Sequence, residues 1–446
     1  MTNPLPTRSS PQPVPFTERR YWLPFVLITS LFFLWALGVN LNDILIPRFR
    51  DAFGLSDFQS SFIQVAFFGG YFLAAFPAGW LMERIGYKRG ILAGLALCAV
   101  GALLFLPASA VGLYRYFLLA LFVMACGQSF LEVASNPYVT TLGPAGSSER
   151  RLNFAQSFNA VGAVMAPIIG GAFILTGVER TPAQLAAMTA AQLHAYRAAE
   201  AGSVRLPYLV IAAIFVFMAL LIGLTHLPDV AERAANPIQG ASTPPRGSVL
   251  AHGHLVKGVI AQFFYVGAQV GVASFVIRFA QHTVPGMTAH LAAYYLLGHQ
   301  IGFMGGRFSG SAMMKRIAPA RLLSAFAFGC LVCIIIALIT AGIVPVWAVV
   351  VIGFFHSIMF PTIFALSIKN LGPLTKRGSS LLVMSIIGGA IVPAIMGRIS
   401  DASNIQTAFI VPLICYVYIL YFALSGYKPA EAASGAVAAA GMEAEP

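Results

Sequence analysis

Carboxylates are scarce in this chain. Only fifteen Asp and Glu occur in 446 residues, and charged residues of either sign make up 9% of the chain, against about 25% in soluble domains. With 58% hydrophobic residues, so little charge excludes a water-soluble globular protein, because one core cannot hold that much apolar surface. The five cysteines, Cys98, Cys126, Cys330, Cys333 and Cys415, all fall in apolar runs. Cys330 and Cys333 have CxxC spacing but no second ligand pair and no charged neighbours, so they are expected to be small buried hydrophobes rather than metal ligands or a redox pair. Nucleophile motifs, metal-ligand spacings and phosphate-cradling loops are missing too. These gaps argue against an enzyme and against any metal or organic cofactor.

What the chain has in abundance is apolar stretches of roughly 18 to 25 residues, each long enough to cross about 30 Å of hydrocarbon. Twelve spans are expected, near 21–45, 60–82, 90–107, 115–138, 152–176, 206–227, 255–279, 289–312, 321–341, 344–368, 377–399 and 406–426. The runs are continuous rather than ten-residue alternations, which excludes a β-barrel. The fold class is therefore all-α integral membrane. Residues 1–20 have no apolar core, so no cleavable signal peptide is expected and the first span inserts uncleaved.

A net charge of +12 could suggest nucleic acid, but the placement of the basic residues argues for a bilayer instead. With the N-terminus taken as cytoplasmic, nineteen of the 27 Lys and Arg fall on the inner side or its flanks, among them Arg84, Lys88, Arg150, Arg151, Arg307, Arg316, Lys369, Lys376 and Arg377. That asymmetry is the positive-inside rule, and it places both termini in the cytoplasm of a bacterial-type inner membrane. The partners expected are lipid and a small molecule, with no nucleic acid, and the protein is expected to be a monomer.

Thirteen of the fifteen acids can be assigned to loops or tails, Glu83 and Glu149 included; Asp43 and Glu132 cannot. A charged side chain at the bilayer centre costs about 2.5–3.5 kcal/mol or more, so these two are the candidate seat of the chemistry. In the first span Asn40, Asn42 and Asp43 form a polar knot before Pro47. Asn40 and Asp43 share a helix face. Asp43 is either a proton-titrating carboxylate facing a central cavity or an acid solvated at the outer interface. In the fourth span Gln128, Glu132, Ser135 and Asn136 share one face, and Pro137 is expected to break the helix.

Neutral amides continue the pattern. Asn153, Gln156 and Asn159 recur at intervals of three in the fifth span, and Gln262, Tyr265 and Gln269 line one face of the seventh. Amides offer both donors and acceptors, which suits a ligand made of hydroxyl groups, although they also glue membrane helices together. His356 in the tenth span is either a proton shuttle or a hydrogen-bonded packing residue.

The longest inner polar stretch, 228–254, is rich in proline and glycine and reads as a linker between two six-helix bundles, 21–227 and 255–426, with tails at 1–20 and 427–446. A repeat supports the division: Met82, Arg84, Ile85 and Arg89 recur at the same spacing as Met314, Arg316, Ile317 and Arg321. Parallel six-span repeats are the layout of major facilitator transporters. The first copy, Gly79 through Lys88 in GWLMERIGYK, with Glu83, Arg84 and Gly86 inside it, looks like that superfamily's loop signature, with Glu83 where an Asp is usual. The outer segment 177–205 is expected to carry a short surface helix.

The passages FFLWALGVNLNDILIPRF, FLEVASNPYVTTLGP, RLNFAQSFNAVGA, YVGAQ, VPGMTA and IKNLGPLTKRGSSLLVMSIIGGAIVP resemble the fucose permeases and related glucose/galactose transporters of that superfamily. The resemblance spans roughly residues 20 to 425. It implies proton-coupled import of a monosaccharide, with the proton as coupling ion, the alternative being a glucose/galactose-type transporter coupled to protons or sodium. It also implies that Glu132 is the acid in the sugar cavity, that Asp43 is the proton-linked acid, and that Gln156, Asn159 and Asn40 are amides around the sugar. Met359 and Phe360 stand where a fucose permease would carry Gln and Tyr, which leaves the sugar open among fucose, galactose, glucose, mannose and acetamido sugars.

Overall fold

In the computed structural model, residues 15–53, 57–111, 113–173, 205–228 and 248–429 are described, together with 187–189, 191, 192, 196 and 202. The side chains of 39, 41–61, 64, 167, 168, 170–173, 289 and 290 fall outside that description. The expectations for the side chains of Asn42, Asp43 and Pro47, for most of 177–205 and for the linker core 229–247 therefore concern residues outside the described set.

All regular elements among the described residues are helical: α1 Trp22–Phe53, α2 Asp57–Val111, α3 Tyr114–Thr141, α4 Ser148–Phe173, α5 Arg205–Leu224, α6 Gly253–Thr283, α7 Ala289–Met313, α8 Pro319–Ile339, α9 Ile343–His356, α10 Met359–Ser367, α11 Thr375–Met384, α12 Gly388–Ala402 and α13 Ile410–Tyr421. Helices are the expected answer in hydrocarbon, where each backbone polar group must be satisfied within its own segment. Within the described residues each of the twelve expected spans coincides with helix, the layout of a multi-pass membrane protein.

Three boundaries differ from expectation. The second and third spans form one run, interrupted at Gly86 (φ 78°, ψ 171°), a backbone shape that glycine adopts without strain. The tenth span is two helices, α9 and α10, and the eleventh is α11 and α12 joined by a 3-10 turn at Ser385–Ile387. The carbonyl freed at the first break is not left bare, since Tyr265 on α6 donates its hydroxyl to the His356 oxygen at 3.0 Å. Pro137 does not end its helix; α3 continues to Thr141, as transmembrane helices allow when neighbours cover the freed backbone.

The turn between α3 and α4 is built around a buried arginine. Arg151 is 0% exposed and donates to the carbonyls of Val139, Thr140, Gly143, Pro144 and Phe16 and to the Ser147 hydroxyl. The guanidinium thus gathers helix-terminal acceptors that would otherwise be orphaned. Arg151, counted among the basic residues of the inner side or its flanks, is thus also an internal donor of the fold.

Candidate functional site

Glu132 sits in the middle of α3, 7% exposed, with Gln128, Ser135 and Asn136 buried on the same helix. The Tyr71 hydroxyl of α2 and the Asn136 side chain one turn along lie beside the carboxyl group, and the Arg307 guanidinium of α7 is near enough to act on it through its charge without forming an ion pair with it. Arg307 was expected at the inner flank. It lies instead two turns inside α7 and is 4% exposed.

Arg307 connects to α3 through amides. Arg307 Nη1 donates to the main-chain oxygen of Gln156 and to its Oε1, at 3.0 Å each. Gln156 Nε2 donates to Asn136 Oδ1 at 3.1 Å. The path stops there, because Asn136 Nδ2 is buried without a hydrogen-bond partner among the described residues.

Two amides stand out for what they lack. Gln128 and Gln262 are both fully buried, and neither the oxygen nor the nitrogen of either side chain has a hydrogen-bond partner among the described residues. Buried polar side chains are bonded in the large majority of cases, so two amides with both ends open mark positions aimed at a ligand. Gln128 faces α1, its Nε2 lying 3.2 Å from where a Cβ on Gly38 would stand.

The other expected site residues divide. Asn159 donates to the Phe32 carbonyl of α1 at 3.4 Å, and Asn40 spends its donor on Ala36 of its own helix at 2.7 Å. Both are half-buried, as is Gln269. His356 is 0% exposed; its Nε2 meets the Tyr416 hydroxyl and its ring lies beside Tyr265 and His299. Its Nδ1 is buried without a hydrogen-bond partner among the described residues, so both of its readings stay open. Met359 and Phe360 are buried, with the Phe360 ring between Tyr265 and Phe364.

A second set of contacts joins the chain halves at the end that carries the basic residues. Arg377 on α11 donates from Nη2 to Glu83 Oε2 at 2.9 Å while its Nε lies 2.6 Å from Oε1. Lys369 pairs with Glu149 at 3.0 Å, and Asn153 donates to Thr362 at 3.1 Å. Glu149, expected as an ordinary loop acid, is buried in the first turn of α4. Gly79 makes the approach of α2 to α11 possible, because a Cβ there would fall 1.8 Å from Ser380 Oγ and 3.0 Å from the Lys376 carbonyl. The remaining loop-signature residues serve their own half: Arg84 lies over the Trp80 ring at 3.9 Å and Lys88 donates to the Gly223 carbonyl at 2.9 Å. Arg316 is exposed.

Sequence reasoning missed Tyr71 and Arg307. The signal available for Arg307 was its position seven residues before Met314, too deep in a span to be a flank charge, within the small-residue run Gly305, Gly306, Ser309 and Gly310. Tyr71 carries no such mark.

Comparison with known proteins agrees with this architecture. The model of the Major Facilitator Superfamily matches residues 28–386. The L-fucose-proton symporter of Escherichia coli is 45% identical over 409 residues, covering 91% of this chain and 93% of that protein. A glucose/galactose transporter of Brucella abortus is 42% identical over 427 residues, 96% and 98% of the two chains. Among solved structures, a Major Facilitator Superfamily transporter, FucP, in the outward conformation superposes with a TM-score of 0.84 at 45% identity, covering 91% of this chain and 99% of that one.

Proposed function

The chain belongs to the Major Facilitator Superfamily, and from that premise we propose that it is a proton-coupled monosaccharide symporter that imports L-fucose or a related hexose by alternating access. The observation that carries this reading is a carboxyl group buried within a spanning helix, Glu132, set among amides, two of which, Gln128 and Gln262, have every side-chain polar atom open. Hydroxyl groups of a sugar satisfy such amides, and a carboxyl group at this depth is placed to exchange a proton. The names carried by the relatives, an L-fucose-proton symporter and a glucose/galactose transporter, support the same class.

On this reading Glu132, Gln128, Asn136, Gln156 and Gln262 contribute to the sugar site, and Asp43 exchanges the proton nearer its outer end. The two six-helix bundles, 21–227 and 255–426, rock about that site. The basic end faces the cytoplasm of an inner membrane, with both termini there. The ion pairs and the Gly79 contact close that end, so the state described is outward-facing. Each ligand must bind the two conformations unequally for coupling to arise.

Sugar uptake into weakly buffered vesicles is expected to alkalinise the medium. Uptake that ignores the proton gradient and follows sodium instead would sink the coupling assignment. A panel of L-fucose, D-galactose and D-glucose in the same assay ranks the substrates.

A further inference from the structure

Pro15, Phe16 and Thr17 belong to no helix, yet each is bonded to the turn that leads from α3 into α4. Thr17 Oγ1 donates to the Leu142 carbonyl at 2.6 Å, the Ser147 hydroxyl lies 3.0 Å from the Pro15 carbonyl, and Arg151 Nη1 donates to the Phe16 carbonyl at 3.0 Å. Gly143 admits them: its φ of 145° suits glycine, and a Cβ there would stand 3.1 Å from Thr17 Cα. The Phe16 ring meets Phe25 at 5.3 Å and Phe154 at 5.5 Å, edge to face, and the Arg150 guanidinium lies over it at 4.9 Å.

What these residues hold is the part of α4 that meets the other half. Glu149 pairs with Lys369, the Arg150 carbonyl accepts from Ser311 at 3.4 Å, and Asn153 donates to Thr362, all within the first two turns of the helix. A row of rings runs the same way, from Phe16 to Phe154, from Phe154 to Phe158 at 5.6 Å and from Phe158 to Phe308 of α7 at 6.3 Å. Phe16 is thus joined to the C-terminal half through two rings of α4.

We propose that residues 15–17 are a strap that keeps the first turns of α4 ordered for their contacts with the C-terminal half, so that the segment ahead of the first span sets the balance between closed and open basic ends. This rests on the alternating-access reading. Phe16 acts as a positioning residue, because it bears on closure through α4. Fixing a backbone costs conformational entropy at every residue ordered. The closed state requires the start of α4 in one conformation, since its ion pair and its hydrogen bonds to the other half all depend on it. The open state makes none of those contacts and tolerates fraying there. With the strap in place the ordering is already met in both states; without it, closure alone bears the cost. Loosening the strap therefore moves the population toward the open end.

Spin labels at Arg89→Cys and Arg321→Cys, exposed positions one in each half, read the separation of the basic ends in the full chain in lipid nanodiscs, the native thiols lying within the spanning helices. Phe16→Ala removes the first ring of the row and leaves the backbone bonds, and is expected to lower the closed-to-open ratio roughly tenfold, within the 5–150-fold span of ordinary coupling energies. Thr17→Val removes one hydroxyl and is expected to lower it about fivefold, the bottom of that span. Phe16→Leu keeps apolar bulk and should recover part of the loss. Phe105→Leu is the control: it lies in the same half, its ring stacked on Tyr208 of α5 at 3.7 Å, and it should lower the melting temperature without moving the ratio.

A lowered melting temperature in Phe16→Ala with an unmoved ratio would make the segment a clamp for folding and overturn the proposal. An equal shift of the ratio in Phe105→Leu would overturn it too. If Phe16→Ala does not fold, Thr17→Val decides: an unmoved ratio there refutes the strap. Alternating access itself fails separately, by a native distance distribution that ignores sugar, whatever the variants show.

Discussion

Arg377 and Glu83 pair by two contacts across 294 residues of sequence, Nη2 to Oε2 and Nε to Oε1, at the place where α2 is broken by Gly86. The pair fastens a helix of the C-terminal half to the kinked turn of the N-terminal half. It is partly solvated, with side-chain exposures of 40% for Arg377 and 13% for Glu83, so its strength is bounded near the range for surface pairs, about 1 kcal/mol. Glu83→Gln is therefore expected to shift the closed-to-open ratio of the basic end by less than about tenfold, read by the distance between spin labels at Arg89→Cys and Arg321→Cys, exposed positions one in each half. A larger shift would mean that the pair carries more of the closure than its solvation allows.

Gly79 imposes a steric limit rather than an electrostatic one. Gly79→Val should fold, because the glycine lies at a contact between halves, but it should block closure through collision with Ser380 and with the Lys376 backbone. Sugar uptake is expected to be abolished while the purified protein stays monodisperse. Gly79→Ala should retain part of the activity, since Ser380 can rotate away while the Lys376 carbonyl cannot.

Gln262 exchanges stability for binding. Its amide is buried with both ends open, which is unfavourable until a ligand arrives. Gln262→Leu is expected to leave the melting temperature of the sugar-free protein unchanged or higher. It should weaken sugar binding about tenfold, the effect of losing roughly one hydrogen bond of about 1 to 1.5 kcal/mol. Thermal shift with and without sugar measures both at once. A lowered melting temperature with unchanged sugar binding would make Gln262 a packing residue.

The two acids should separate in their transport phenotypes. Asp43→Asn is expected to lose proton-driven accumulation while retaining sugar counterflow. Glu132→Gln is expected to bind sugar at least tenfold more weakly, since charge-assisted hydrogen bonds contribute about 1.5–3 kcal/mol. Radiolabelled sugar in energised and de-energised vesicles distinguishes the two outcomes.

Arg151 predicts a folding defect rather than a transport defect. Lysine cannot reproduce a planar fork that reaches five carbonyls and a hydroxyl. Arg151→Lys should lower stability by about 3 kcal/mol or more, because buried acceptors left without donors cost roughly 1–3 kcal/mol each. The yield of folded protein and its melting temperature check this.

Several of these residues were legible only in part. Glu132 was found because an acid in an apolar run is expensive, an inference that needs no structure. Gln156 and Asn136 were found because polar residues at helical spacing share a face. Glu149 and Arg151 looked like ordinary charges beside a loop, and nothing in their spacing distinguished them from Arg150, which was counted in the same way. Their burial follows from how the turn after α3 packs against Phe16 and Lys369, contacts 135 and 220 residues distant.

The sequence by itself determined the solvent, the helical answer to it, the approximate spans and the two acids worth attention, because hydrocarbon sets helix length and penalises charge irrespective of neighbours. Tertiary structure alone decided what Arg307 meets. Arg307 and Gln156 stand 151 residues apart, and no periodicity along either helix specifies the rotation and depth at which α7 packs against α4. Only that packing turns a charge counted at the membrane flank into a buried donor to Gln156.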